Sequence, residues 1–416
     1  MTQMNIMGQQ LLNCLQAFRF GRQAEIIESF PSADWQQFYR FSNEHKLVPM
    51  VYDSLRNCLD FCKDNPSLRA AWKQSAILQA ANQAGRTQRL LELTHAIEEA
   101  GVSYALVKGA LCRQLYVQPD LRPSGDEDLF ISKDQRGLCG TVFSKHGLTP
   151  VNPREEDSVD HWQDAITGLH IELHTSLFDS GWTSEHILNP WFFNALQHTV
   201  WAPVEQTQVR TLQPTAHFLF LLAHALKHFI TGGFGARTLC DIIAFAQHYD
   251  TQINKETVYQ LLAQIHGRIF FDQLLAIGRD YLAFDFQALG WTLSGPVDYT
   301  DLLEDMLDAG IYGQTSMDRR HSGALALEVV RSGQQKTSLS SALFPAKDRL
   351  IGRYPVLKQH PILLPAVWIH RIGAYGLEVL RSRGNGNSPG KTVSLGKQRT
   401  EMMIKYGIIP QTKTKN

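Results

Sequence analysis

Arg122 to Ser132 reads RPSGDEDLFIS. Three acids stand in a row, Asp126, Glu127 and Asp128, and an apolar run follows at once. The segment DLFIS (Asp128–Ser132) has the length and composition of a short strand. On a strand, residues two apart share a face, so Asp126 and Asp128 aim at one point and Glu127 aims away. Two carboxylates that close repel each other unless a cation lies between them. Hard oxygen ligands of this kind suit magnesium, which also takes phosphate oxygens. A solvated turn entering a strand is the plainer account of so short a motif, and the flanking sequence has to choose.

Upstream, VSYALVK (Val102–Lys108) is a short apolar run broken by Gly109, and ALCRQLY continues as a short helix. A strand that ends in glycine and opens a helix leaves unpaired backbone N–H groups, a ready place for phosphate. Gly109 and Ala110 stand there. Downstream, LHIELHTSLF (Leu169–Phe178) alternates through HIELH as a third strand. Glu172 lies between Ile171 and Leu173, and an acid on a buried strand is costly unless it is paired or metal-bound. Beside the D-x-D strand, Glu172 completes a set of three carboxylates. His174 shares its face and can line the site. Lys108 and Arg122 are cations in the neighbourhood, suited to phosphate charge and equally to ion pairs.

Around this α/β core the chain reads as helix, an α+β organisation overall. Ser32 can cap ADWQQFYRFSNEHKL, and Leu68–Gly101 is a proline-free amphipathic segment stopped by glycine. From Pro214 onward, TAHFLFLLAHALKHFITGG, ARTLCDIIAFAQHY and KETVYQLLAQIHGRIFFDQLLAIGRDYLAF are helical, and Gly310–Lys336 is less regular. The expected divisions are a helical region at 1–101, the α/β core at 102–212, a helical C-terminal domain at 213–383, and a Gly/Ser/Lys-rich flexible tail at 384–416.

Composition narrows the classes. Lys+Arg and Asp+Glu are both 40 in 416 residues, so no overall charge draws the chain to nucleic acid or an anionic membrane. The six cysteines are scattered and complete no zinc set, as in a reducing compartment. The N-terminus carries no basic segment followed by a long apolar core, and no apolar run approaches the ~20 residues of a membrane span. A cytoplasmic location is expected. HPILLPAVWIHRIGAYGLEVLRSR (His360–Arg383) is followed by Lys391, Lys397 and Arg399. It suits packing in a core or, alternatively, peripheral membrane or partner contact.

The order strand, glycine, helix, then D-x-D on a strand, then an acid between apolar residues on the next, resembles the nucleotidyltransferase superfamily of DNA polymerase β type. Within it, LVKGALCRQLYVQPDLRPSGDEDLFIS resembles the group of uncharacterised nucleotidyltransferases, and HIELHTSLF matches its acid-x-His element. The likeness is specific over about Tyr104–Phe178 and weaker in HALKHF, ARTLCDI and RYPVL. It implies a small mixed β-sheet core and an enzyme that moves a nucleoside monophosphate from an NTP, ATP among the candidates, to an acceptor. Two magnesium ions would be held by Asp126, Asp128 and Glu172, with Lys108, Gly109, Ala110 and Arg122 toward the phosphates. The acceptor is open: sugar, lipid-linked group, peptide or RNA. Two departures stand out. Ala110 replaces the usual glycine or serine, and Glu127 replaces the usual apolar middle residue of D-x-D. Other readings are an inactive relative that binds nucleotide or a protein partner, and a toxin-type transferase that acts on tRNA or protein.

His224 and His228 lie four apart on a helix with Lys227 between them. No acid or third ligand accompanies them in the metalloprotease manner, so packing or a cleft-lining role for His224 and Lys227 is expected. Arg237 and Asp241, also four apart, are expected to pair with each other.

Overall fold

The structure is a computed structural model, and it describes residues 6–27, 30, 34–152, 158–178, 184–308, 347–351, 354, 356–381 and 389–409. Its architecture is α+β, with one mixed seven-stranded sheet between helical regions. Helices α1 (Ile6–Arg19), α2 (Trp35–Glu44), α3 (Val48–Leu55) and α4 (Pro66–Glu99) come first. Helix α4 has 34 residues, a length of ~51 Å. Its start is set by Asn65, whose side chain accepts from the Leu68 N–H at 3.0 Å, with Pro66 at the first position. Ser32, the cap expected for α2, lies outside the described residues.

The sheet is built from β1 (Tyr104–Val107), β2 (Glu127–Ile131), β3 (Thr149–Val151), β4 (Val159–Gln163), β5 (His170–His174), β6 (Val200–Val204) and β7 (Thr207–Thr211). Helices α5 (Gly109–Arg113), α6 (Arg136–Lys145) and α7 (Asn189–Leu196) interrupt them. The spatial order is β3-β4-β5-β2-β1-β7-β6. Strands β1 and β2 are antiparallel, and β2 and β5 are parallel. Three of these strands are the expected ones. The other four are short and partly exposed: β3, β4 and β7 carry polar residues, and the apolar VWAPV of β6 is interrupted by Pro203.

Both faces of the central strands are covered. Leu106, Leu129, Ile131, Ile171 and Leu173 pack with Leu90, Leu93 and Ile97 of α4 and with Cys139 and Phe143 of α6. Ala105, Val107 and Phe130 face the other way and join the larger core with α8 (Pro214–Thr231) and α9 (Ala236–His248). Helices α10 (Lys255–Gln264), α11 (Arg268–Leu282) and α12 (Thr300–Asp308) continue that core. Five of the six cysteines are buried and all are free.

The C-terminal part departs from expectation. Gly310–Lys336 lies outside the described residues. Within the stretch expected to be a flexible tail, residues 389–405 form a helix. The following residues help hold it: Met402, Met403 and Tyr406 enter the main core. Arg399 is fully buried, 2.8 Å from Asp305 and bonded to the Phe229 carbonyl. A buried charge with matched partners fixes a segment that composition alone would leave loose. Upstream of it, Ile362 and Ile369 are exposed. Among the described residues no helix is long and apolar enough to cross a membrane.

Candidate active site

Register brings the acids together. Asp128 on β2 lies opposite Glu172 on β5, and Phe130 lies opposite His174. Asp128 also faces Val107 at the end of β1. The ligand atoms of Asp128, Glu172 and His174 all lie within 4.8 Å of one another. His174 Nε2 is 2.9 Å from Asp128 Oδ1 and 3.4 Å from Glu172 Oε2, so one imidazole holds both carboxylates.

Lys108 binds the D-x-D pair. Its ammonium is 2.8 Å from Asp128 Oδ2 and 3.6 Å from Asp126 Oδ2. Both carboxylates thus converge on one cation, as two-residue spacing on a strand edge requires. The charges tune one another. Burial raises the Asp128 carboxyl above the usual range, against Lys108 and His174. Burial also acts to raise Glu172, but the hydrogen bond to His174 and the Lys108 charge outweigh it and hold Glu172 well below the ordinary value. Burial acts to lower His174, yet its bonds to Asp128 and Glu172 lift it to about 9. Lys108 is raised, its desolvation overcome by Asp128, Asp126 and Glu172.

The turn before α5 is built around this lysine. Lys108 has φ +47, a conformation uncommon outside glycine, and Gly109 follows at φ +39. The Lys108 N–H donates to His217 Nε2 of α8 at 2.9 Å. With Nε2 accepting, the ring proton sits on Nδ1, 3.2 Å from Thr211 Oγ1. Thr211 in turn donates to the Leu106 carbonyl at 2.7 Å. Burial pushes His217 down to about 3, which keeps it neutral in this role. Sequence reading missed His217; it stands seven residues before His224 on the same helix, with no motif to mark it.

Glu127 points to the opposite face from Asp128, as the strand period requires. It is nonetheless structural. Glu127 Oε2 accepts from the Ala110 N–H at 2.7 Å, and Oε1 accepts from Arg113 at 2.6 Å. Arg113 is fully buried and also donates to Thr87 of α4 at 2.9 Å. A Cβ at position 109 would collide with Glu127, so the glycine is a steric requirement as well as a conformational one. The middle acid of D-x-D therefore closes the turn from behind.

Two residues expected near phosphate are committed elsewhere. The Ala110 N–H is taken by Glu127. Arg122 is 4% exposed and its guanidinium grips Asp241 of α9, with Nε 3.1 Å from Oδ1. Asp241 also accepts from the Tyr116 hydroxyl at 2.9 Å. The expected Arg237–Asp241 pair is corrected accordingly. Arg237 donates to the Pro123 carbonyl at 2.6 Å, while Asp241 neutralises the more deeply buried Arg122.

Helix α8 brings histidines to the site. His224 Nε2 is 3.5 Å from the Lys108 ammonium and 2.9 Å from His228 Nε2. Burial, then the Lys108 charge, lowers both: His224 far below its ordinary value and His228 to about 4. Lys227, half-buried on the same helix, adds to that effect.

A family model described as uncharacterised nucleotidyltransferase matches residues 31–283. No curated protein and no solved structure matches the chain. The matched span contains the whole sheet, the Lys108–Gly109 turn, the acid set and the histidines of α8. The chain belongs to this family of uncharacterised nucleotidyltransferases.

Proposed function

We propose that this protein transfers a nucleoside monophosphate from an NTP to a hydroxyl or phosphate acceptor, with release of pyrophosphate and dependence on magnesium. The observation that carries the reading is the convergence of Asp128 and Asp126 on one ammonium, with Glu172 directly opposite Asp128. Two carboxylates and an imidazole, those of Asp128, Glu172 and His174, gather on one sheet face, and Asp126 reaches the same Lys108 ammonium, an anionic set that suits a divalent cation. Asp126, Asp128 and Glu172 would hold the magnesium, two ions in the full assignment, which would supply Lewis-acid stabilisation of phosphoryl charge.

The chain's own residues do the rest. His174 locks the orientation of Asp128 and Glu172. His217 and Glu127 hold the Lys108–Gly109 turn from two sides. Lys108 neutralises the acids, and its flexible four-carbon stem lets the ammonium turn to a phosphate. His224 beside it is kept uncharged by burial, so it adds no competing cation.

The test is incubation with each labelled NTP and magnesium, with and without cell extract, reading pyrophosphate release and labelled product. The Asp126→Asn, Asp128→Asn double variant is the control. Turnover that persists in the double variant overturns the site. Absence of NTP binding by calorimetry overturns the nucleotide reading and leaves that of a protein-interaction relative. The exposed Ile362 and Ile369 further support contact of the C-terminal segment with a membrane surface. Sedimentation with anionic lipid vesicles, compared with an Ile362→Ser, Ile369→Ser variant, checks it.

A further inference from the structure

The row of side chains across the sheet does not stop at Glu172. On β4, His161 lies directly opposite Glu172. His170, two residues before Glu172 on β5, shares its face and stands diagonal to His161. The two imidazoles stack, with ring centroids 5.4 Å apart. His161 Nδ1 is 3.6 Å from Glu172 Oε1, whereas His174 approaches Oε2. The two oxygens of Glu172 thus face different neighbours. One turns to His174 beside Asp128, the other to His161.

Ligand atoms of His161, His170 and Glu172 all lie within 4.8 Å of one another, and all three residues are partly exposed, so a cation can reach them. Bond lengths of about 2.1 Å to a tetrahedral ion correspond to ligand separations of about 3.4 Å. Small rotations of the half-exposed imidazoles close that difference. Two imidazole nitrogens and one carboxylate oxygen make a borderline donor set. It favours zinc or cobalt over magnesium, which prefers oxygen alone.

We propose that His161, His170 and Glu172 form a second cation site, selective for a divalent transition ion, with Glu172 shared between it and the Asp126–Asp128 centre. The site does not rest on the nucleotide reading, because it is defined by metal binding alone. An ion held there would fix the Glu172 carboxylate from the side opposite Asp128. It would keep open positions for water or an acceptor oxygen, as sites with three protein ligands do.

The experiment uses full-length, untagged protein stripped with chelator and titrated with cobalt(II) alone. Visible absorption reports nitrogen ligation, and zinc competition reports affinity. Of the cobalt bound by the wild type, one equivalent is expected to show nitrogen-type bands that millimolar magnesium does not displace. The Asp126→Asn, Asp128→Asn variant is expected to keep that signal. The His161→Ala, His170→Ala variant is expected to weaken binding at least tenfold. His161→Gln, His170→Gln is the second variant, and near-ultraviolet circular dichroism shows that each is folded. The proposal is overturned if folded wild type binds no cobalt, or if the histidine variants bind it as well as wild type. It is equally overturned if the signal vanishes in the aspartate variant. Pyrophosphate release is scored separately, so failure of this site and failure of the transferase reading give different results.

Discussion

Glu127→Gln separates a structural middle acid from a bystander. The carboxylate accepts from two donors on opposite oxygens, the Ala110 N–H at 2.7 Å and Arg113 at 2.6 Å. Glutamine offers one oxygen and one NH2 group, so whichever way the amide is turned, one donor meets another donor. Arg113 also loses its counter-charge while fully buried. Removing one partner of a buried pair costs roughly 3–5 kcal/mol. Hydrogen exchange followed by mass spectrometry reads the cost locally at residues 106–113. An opening free energy lower by about 3 kcal/mol speeds exchange there roughly a hundredfold. The double variant Glu127→Leu, Arg113→Met removes both charges together and is expected to recover most of that protection. Exchange in Glu127→Gln within threefold of wild type would refute the account of the turn.

Other perturbations have equally definite signs. His45 and His217 are pushed down to about 4 and about 3 by burial, so the unfolded chain takes their protons first as pH falls below 6.5. Their contribution is full above that value and is lost on descending toward the folded values. It amounts to about 5 kcal/mol together by about pH 4.5, to which His224 and His228 add, and His45→Gln is expected to remove roughly 2.5 kcal/mol of the acid-side loss in denaturant melts. Lys108→Met removes the ammonium from Asp126 and Asp128. Manganese binding without nucleotide, followed by electron paramagnetic resonance, is expected to tighten roughly tenfold, the size of one charge-assisted hydrogen bond, while transfer slows. Unchanged or weaker manganese binding would contradict the placement of Lys108. Asp241→Asn strands the buried Arg122 guanidinium and is expected to cost roughly 3–5 kcal/mol. A raised KM for NTP in Arg122→Met at unchanged stability would instead mark Arg122 as a phosphate contact.

Of the strands that carry the acids, β2 was legible as a short apolar run after turn residues and β5 by its two-residue alternation. The two-residue period alone separated Asp126 and Asp128 from Glu127. Hidden were the strands with little burial. Without β4 in view, His161 could not be placed opposite Glu172, and the histidine set stayed invisible. The partner of a buried charge is equally hard to read along the chain. Arg122 and Asp241 are 119 residues apart, whereas Arg237 is a helical neighbour of Asp241 and looked the better match. Local spacing favoured the near cation, and tertiary burial favoured the far one. The helix at 389–405 escaped for the same reason, since its anchors Arg399 and Asp305 are 94 residues apart.

The Glu127–Arg113 contact has a consequence for descent. Neither residue can change alone without leaving a charge or two donors unmatched, so substitutions at the two positions are expected to travel together. A lineage with an apolar residue between the two aspartates should carry an apolar or small residue where Arg113 stands. It would also lack the collision with Glu127 at position 109, leaving the positive φ there as the remaining demand for glycine.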